Sequence, residues 1–302
     1  MPRPADTRTP RRIPGLVSVV MPARNAASTI ERQLIALSQQ SYSGVWELIV
    51  VDDGSEDDTR AAVRVWMDRM PNLVLLETAD HRGPCHARNV GMAGAKGDLL
   101  LFCDADDECS EEWITEMVRA AENADLVGGA IATTALNDPV VRAWRGIEIQ
   151  VDRLPVGGFL PYSLSANLGV WAYVIHEVGG WDESFRTPGG DDVDLCWRAQ
   201  LGSFVLEFAP RAIVNYRYRS SLKEVCRQHL RYGMAGALLF RKFRTSGYRR
   251  PSSKATVGAY VSLMLSLPSL FAGPERRGSW LRRASHRLGR VVGSVRHGVV
   301  FL

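Results

Sequence analysis

The sequence is short of cysteine. It has five, Cys85, Cys103, Cys109, Cys196 and Cys226, an odd number with no CxxC pair. That excludes a disulfide framework and a zinc ribbon and suits a reducing compartment. Clean apolar runs are missing as well. The longest, Val257 to Gly273, is broken by Ser262, Ser266 and Pro268, so no stretch of about 20 apolar residues is available to span a bilayer. The opening segment MPRPADTRTPRRIPG has arginines with no apolar core behind them; it reads as a disordered basic arm over residues 1–15, not a signal peptide. A glycine-rich phosphate loop is also lacking. PARNAA, after the first apolar run, contains no glycine, which argues against a dinucleotide enzyme. The nearest approach to a P-loop, Gly91 to Gly97, lacks the final Ser or Thr and falls inside a helical pattern. Internal repeats and low-complexity tracts are absent. A secreted mini-protein, a coiled coil and a polytopic membrane protein are excluded.

What is present is ordinary in bulk and uneven in charge. The chain has 302 residues, 46% of them apolar and 23% charged, enough for a sizeable core. The net charge of +4 hides a split: 19 Lys and Arg against 31 Asp and Glu up to Tyr216, then 18 against 2 from Arg217 onward. The acidic part alternates. Apolar runs of strand length at 16–21, 48–51, 72–77, 98–104 and 124–131 are separated by helical patterns at 27–40, 57–69, 86–96 and 110–122. Strands apolar on both faces between amphipathic helices imply a parallel sheet covered by helices. Residues 132–168 read as a long irregular connection. A helix over 191–200, a strand over 203–209 and a wholly helical basic region from about 217 complete the pattern.

In open α/β sheets ligands bind beyond the carboxyl ends of the strands. The residues found there are Pro22-Ala23-Arg24-Asn25, Asp52-Asp53-Gly54-Ser55, Asp104-Ala105-Asp106-Asp107 and, later, Gly190-Asp191-Asp192-Val193-Asp194. Two carboxylates two residues apart at a strand end, Asp104 and Asp106, point to the same side. Their mutual repulsion is relieved by a divalent cation that takes hard oxygen ligands, Mg²⁺ or Mn²⁺. Asp107 reads as a cap of the next helix.

Taken in order, VSVVMPARN, LIVVDDGSEDDT, GPCHARNVGMAGAKGDLLLFCDADD and GGWDESF…GGDDVDLCWRAQ resemble the family 2 inverting nucleotide-sugar glycosyltransferases with the GT-A fold. The resemblance runs from Val17 to about Tyr232. It implies an α/β nucleotide-binding sandwich with a mainly parallel sheet over 16–216, divided into a nucleotide-sugar half (16–131) and an acceptor half (132–216), with a basic helical extension at 217–302. It implies that Pro22, Ala23, Arg24 and Asn25 line the base and ribose pocket and that Asp52 accepts from the base. Gly83, Arg88 and Asn89 fall in the segment that abuts the nucleotide, with Arg88 either gripping a phosphate or locking the loop of Asp104. Asp104 and Asp106 would hold the metal. Asp192 would be the general base with Asp191 its neighbour, and Asp194 structural. Trp181 and Trp197 would be core. Many relatives carry a further metal-ligating histidine after a late strand; Asn215 and Tyr216 stand there instead, which leaves His229 as a substitute. Gln228-His229-Leu230-Arg231-Tyr232 resembles a QxxRW signature, by which Arg231 would meet the pyrophosphate and Tyr232 the acceptor.

Two rivals fit less well. A sugar-1-phosphate nucleotidyltransferase would open with a glycine-rich basic loop where PARNAA stands. A non-catalytic scaffold has no need of Asp104, Asp106 and Asp192 together. The expected donor is a nucleoside-diphosphate sugar, a UDP-sugar by analogy. The acceptor is a glycan, lipid or small molecule, and no nucleic-acid module is visible. Leu281, Leu288, Val292, Val295 and Val299 recur at helical spacing against Arg282, Arg283, Arg287, Arg290 and Arg296. Such a basic amphipathic helix either lies on an anionic membrane surface or docks on its own domain or a partner. The expected location is cytoplasmic, peripheral to the inner face of the plasma membrane if the first reading holds.

Overall fold

The computed structural model describes residues 12–145 and 150–302. Its frame is one eight-stranded sheet in the order β3-β2-β1-β4-β7-β6-β8-β5. Strands β1 (Val17–Ala23), β2 (Trp46–Asp52), β3 (Leu73–Glu77) and β4 (Leu99–Phe102) run parallel. β6 (Leu126–Ala132) and β8 (Leu206–Asn215) form a second parallel pair. They join the first group through β7 (Leu168–Trp171), antiparallel to both β4 and β6. The two-residue β5 (Glu108–Cys109) adds an antiparallel edge on β8. The mostly parallel sheet follows from strands such as β1, with every residue but Pro22 buried, which need helices on both faces.

The helices are α1 (Ile30–Ser38), α2 (Thr59–Met67), α3 (Pro84–Gly94) and α4 (Trp113–Ala121), each near its expected position. α5 (Pro139–Arg145), β7 and α6 (Ala172–Val178) lie in or beside the segment read as irregular. They are too short for periodicity to register. The late strand β8 starts and ends several residues beyond the expected 203–209.

Three elements set the site. α3 begins at Gly83, whose φ of +100° and contact with the Arg186 carbonyl, 2.4 Å from where a Cβ would stand, leave room for glycine alone. α3 lies close on β1: a Cβ on its Gly91 would come within 2.5 Å of Val20. That carries Arg88 under the sheet's carboxyl edge. α7 (Asp191–Leu201) follows the left-handed Gly189 and Gly190.

The basic region is helical throughout: α8 (Leu222–Phe243), α9 (Ser253–Leu265) and α10 (Gly273–His297). It shares the main core, to which it contributes Ala237, Leu239, Phe243, Tyr248 and Phe301. Of the expected N-terminal arm, residues 1–11 lie outside the described residues. Residues 12–15 are held rather than loose, because Arg12 pairs with Asp125 at 2.9 Å and the Gly15 amide donates to Asp98 at 2.9 Å.

Candidate active site

Parallel register brings the polar strand ends to one edge. Ala23 stands opposite Asp52, and Val20 opposite Phe102, two residues before Asp104. Beyond this edge lies a cleft of about 1090 Å³, walled on the far side by α7, α8 and α10. Pro22, Ala23, Arg24, Asn25, Arg88, Asp104, Asp106, Asp191, Asp192 and Arg231 all line it. Asp52 and Gly83 do not.

Asp52 is 1% exposed; its Oδ2 accepts from the Ser55 amide at 3.0 Å and its Oδ1 is buried without a partner. Its neighbour Asp53 lines the cleft and accepts from His81 Nδ1 (2.6 Å) and the Arg82 and Gly83 amides (3.1 and 3.0 Å), tying the loop before α3 to β2. Asn25, at φ +48°, staples its loop to the next: its amide donates to Ser55 Oγ at 2.9 Å and its Oδ1 accepts from the Glu56 amide at 2.8 Å. Arg24 and Arg231 are exposed on the cleft wall.

Arg88 joins the two halves of the site. It is 3% exposed and lies over the Trp181 ring at 4.8 Å. Nη2 donates to Asp104 Oδ1 and to Ser165 Oγ, both at 2.9 Å, and Nη1 donates to Asp191 Oδ2 at 3.1 Å. Burial works against its charge, but Asp104 and Asp191 more than compensate and hold its pKa above the ordinary value. Of the two roles open to Arg88, the geometry is that of the loop lock.

Asp104, Asp106 and Asp107 bring carboxylate oxygens within 4.8 Å of one another. Asp106 pairs with Arg219 at 3.0 Å. Asp107 does not cap α4: its Oδ1 accepts from the Arg217 amide at 2.7 Å and its Oδ2 is buried with no partner. Burial, then Asp106 and Asp104, push its pKa well above the carboxylate range. Burial also raises Asp106, against the opposing pull of Arg219. Hard oxygen donors, one unsatisfied, suit Mg²⁺ or Mn²⁺. His229 is not among them. It sits with Arg145, Arg282 and His286, and burial followed by those cations lowers its pKa to about 2; cationic surroundings make it no substitute metal ligand. Tyr216, where a histidine was sought, lines the cleft.

Across the cleft, Asp191 is fully engaged, by Arg88 and by the Gly189 amide on Oδ1 at 2.9 Å. Asp192 is half-buried; its Oδ1 accepts from the Val193 amide at 2.8 Å, and the Ser165 backbone also bonds to the carboxylate. Burial and then the Asp191 charge raise its pKa to about 7, against the Val193 amide and Arg88. Asp194 is structural: it is 0% exposed and paired with Arg198 at 2.7 Å and with Lys242 of α8. Trp181 and Trp197 are buried, Trp197 with an edge on the cleft. Sequence patterns did not single out Arg145, Tyr162, Arg219 or His286, and read Arg282 only as part of a basic helix face, yet all five line the cleft. No local signal marks them, because each arrives from an element whose packing is non-local.

Comparisons with known proteins bear on the family and the fold. Residues 18–160 match the model of Glycosyl transferase family 2, and residues 100–281 that of Glycosyl transferase family group 2. The chain is 29% identical over 238 residues to the pre-mycofactocin glycosyltransferase of Mycobacterium tuberculosis, covering 74% of this chain and 47% of that protein. It is 34% identical over 196 residues to glycosyltransferase AglE of Haloferax volcanii, 64% of each. This chain thus spans about half of the first relative and under two thirds of the second. Among solved structures, a mannosyltransferase of Pyrobaculum calidifontis in complex with GDP-Man and Mn²⁺ superposes with a TM-score of 0.64 at 17% identity, over 94% of this chain and 89% of that one. Residues 1–349 of S. aureus TarS with UDP-GlcNAc give 0.53 at 16%, over 94% and 92%. These are likenesses of fold, the GT-A sandwich with its helical extension.

Proposed function

The chain belongs to Glycosyl transferase family group 2, and from that premise we propose that it moves a sugar from a nucleoside-diphosphate sugar to an acceptor hydroxyl, with inversion at the anomeric carbon. The observation that carries this reading is the cleft itself: Asp104 and Asp106 on one wall with Asp107 buried behind them, and a base of pKa about 7, Asp192, on the other. Arg88 links them through Asp104 and Asp191. Solved structures of similar fold hold GDP-Man with Mn²⁺ or UDP-GlcNAc, which supports a nucleoside-diphosphate sugar as donor and leaves UDP and GDP both to be tried.

The base and ribose lie along Pro22, Ala23 and Arg24, where backbone and a free guanidinium face the cleft. Asp52, 1% exposed and outside the cleft lining, stands behind Ala23 and braces the loop after β2 through the Ser55 amide, so it is left out of the donor contacts. Asp104, Asp106 and Asp107 would hold Mg²⁺ or Mn²⁺, which when bound would offset the charge of the diphosphate. Arg219, already on Asp106, adds fixed positive charge beside the leaving diphosphate. Asp192 takes the proton of the acceptor hydroxyl as that oxygen attacks the anomeric carbon from the face opposite the diphosphate. Arg88 keeps the Asp104 loop and the Asp191-Asp192 turn at a fixed separation, which is a positioning role.

Asp192→Asn is the direct test, with transfer from UDP- and GDP-sugars measured beside nucleotide binding in Mn²⁺. The expected result is a loss of turnover on the order of 10²- to 10⁴-fold, with binding retained. A variant turning over at the wild-type rate would remove Asp192 as base.

The basic region faces an anionic membrane surface in the same reading. Among the described residues no helix is long and apolar enough to cross a membrane. α10 docks on α8 through Gly289 and Gly293, and its Gly278 packs on Trp144 of α5, so its apolar stripe is not the docking face and Leu288, Val292 and Val295 stay outward at 56%, 40% and 80% exposure. α9 buries no residue and adds Val257, Val261, Met264 and Leu265 to that surface. With 18 basic residues against 2 acidic ones from Arg217 onward, the occupant these helices complement is an anionic bilayer surface, which suits a lipid-linked or cell-envelope acceptor.

A further inference from the structure

Past Asp192 the cleft continues into a chamber whose charge the donor reading leaves unused. Tyr232 of α8 stands at the junction. Its ring packs on Gly189, where an added Cβ would lie 2.5 Å from it, and its hydroxyl feels Arg145 on one side and Asp192 and Asp191 on the other. Three residues back along α8, about 4.5 Å of rise, His229 faces Tyr232 at 5.3 Å between rings and His286 of α10 at 6.3 Å. Arg145 and Arg282 close this group and line the same cavity.

Among the described residues each arginine is anchored by one hydrogen bond that leaves its fork open. Arg145 Nη2 donates to Gln228 at 2.7 Å, with its guanidinium 4.4 Å from the Tyr218 ring; Arg282 Nε donates to the Trp144 carbonyl at 2.6 Å. Arg145 Nε is buried without a partner, and so are both ring nitrogens of His229, a residue only 7% exposed. Among the described residues no carboxylate pairs with Arg145, Arg282, His229 or His286. The charges that act on His229, Arg282 and His286 are all cationic and lower their pKa values together with burial. A buried imidazole with neither nitrogen satisfied and two arginines without counter-charge are costly on their own. A bound anion removes both costs.

We infer that Arg145, Arg282, His229 and His286 form an anion site for a phosphate or diphosphate carried by the acceptor, in the same cavity as Asp192. The inference rests on the transfer reading above, and it assigns the acceptor class. The acceptor is a phosphorylated or diphosphorylated glycosyl compound whose free hydroxyl reaches Asp192 past Tyr232. α10 supplies Arg282 and His286 to the chamber and Leu288 and Val292 to the outer apolar surface, so the phosphate is either a lipid's headgroup or that of a free sugar phosphate.

The test is calorimetric titration of the full chain with inorganic pyrophosphate and with a short-chain alkyl diphosphate. EDTA is present, so that the Asp104 trio holds no cation and repels them. Wild type binds both. Arg282→Gln and Arg145→Gln bind each at least about tenfold more weakly, the worth of one charge-assisted hydrogen bond, and Arg282→Lys falls between. Thermal melting checks that each variant is folded, and UDP or GDP binding in Mn²⁺ stays within about twofold of wild type on the same scale. Tighter binding of the alkyl compound assigns a lipid source, and equal binding a soluble one. Gln variants that bind pyrophosphate like wild type overturn the inference. So do variants whose nucleotide binding falls in step, since the cluster would then serve the donor. Absence of nucleotide binding in wild type counts against the donor reading alone, because the EDTA titration reads the chamber by itself.

Discussion

At the scale of single residues the site depends on how Arg88 divides its fork. A guanidinium reaches Asp104 and Asp191 at once because its two Nη atoms diverge in one plane; a lysine reaches one. Arg88→Gln leaves Asp191, 4% exposed, without its cation, and the expected cost is about 3–5 kcal/mol in denaturant unfolding. Arg88→Lys stays folded but lets the two walls drift, with kcat down on the order of 10²-fold and nucleotide binding close to wild type. The pH dependence has a fixed sign. Asp192 works as the carboxylate, so kcat/KM climbs as pH passes through about 7 and is level above it. Because the folded value lies above the ordinary one, the stability tied to protonated Asp192 is present at low pH and lost as pH rises through about 7. The Asn variant, exempt from that loss, melts higher than wild type at pH 8 and equally near pH 4.

At the scale of elements the decisive contact is α8 on α10. A Cβ on Gly233 would stand 2.2 Å from the His286 carbonyl, and one on Gly289 2.1 Å from the Leu230 carbonyl. Backbone meets backbone, and this approach swings Arg282 and His286 into the cleft. Gly289→Val forces the helices apart, with an expected loss of about 1–3 kcal/mol on melting and weaker binding of pyrophosphate in EDTA. The same contact explains what sequence periodicity got right and what it missed. Leu288, Val292 and Val295 do form a stripe, but the face that docks is the glycine one. Helical spacing marks a stripe without saying which neighbour comes closer. Strands β5 and β7 escaped for another reason: with two and four residues, only pairing with β8, β4 and β6 makes them strands.

At the scale of the whole molecule, charge is segregated onto one helical side, and the apolar side chains of α9 and α10 lie outward within it. Sedimentation with vesicles containing phosphatidylglycerol is expected to carry the full chain down, with binding that falls as salt is raised and is absent from neutral vesicles. Val261 and Met264 are 49% and 66% exposed. Replacing both with Asp is therefore expected to weaken vesicle binding roughly tenfold or more while leaving the melting temperature unchanged. Equal sedimentation of that variant would detach α9 from the membrane reading.

The sequence by itself determined the sheet, the helices that cover it and the acidic strand ends, because apolar periodicity and strand-terminal carboxylates are local and the parallel register brings such ends to one edge. Asp104 and Asp106 were legible in that way, and Asp191 and Asp192, which open α7, through the family resemblance. Only the tertiary structure decided how they are linked and what faces them. Arg88 gained its two partners across more than one hundred residues of chain in the case of Asp191, Asp107 moved from a helix cap to the carboxylate trio, and His229 went to the cations instead of the metal side. Burial and the identity of the nearest charge set each of those roles, and both are properties of packing between distant segments that no local pattern encodes.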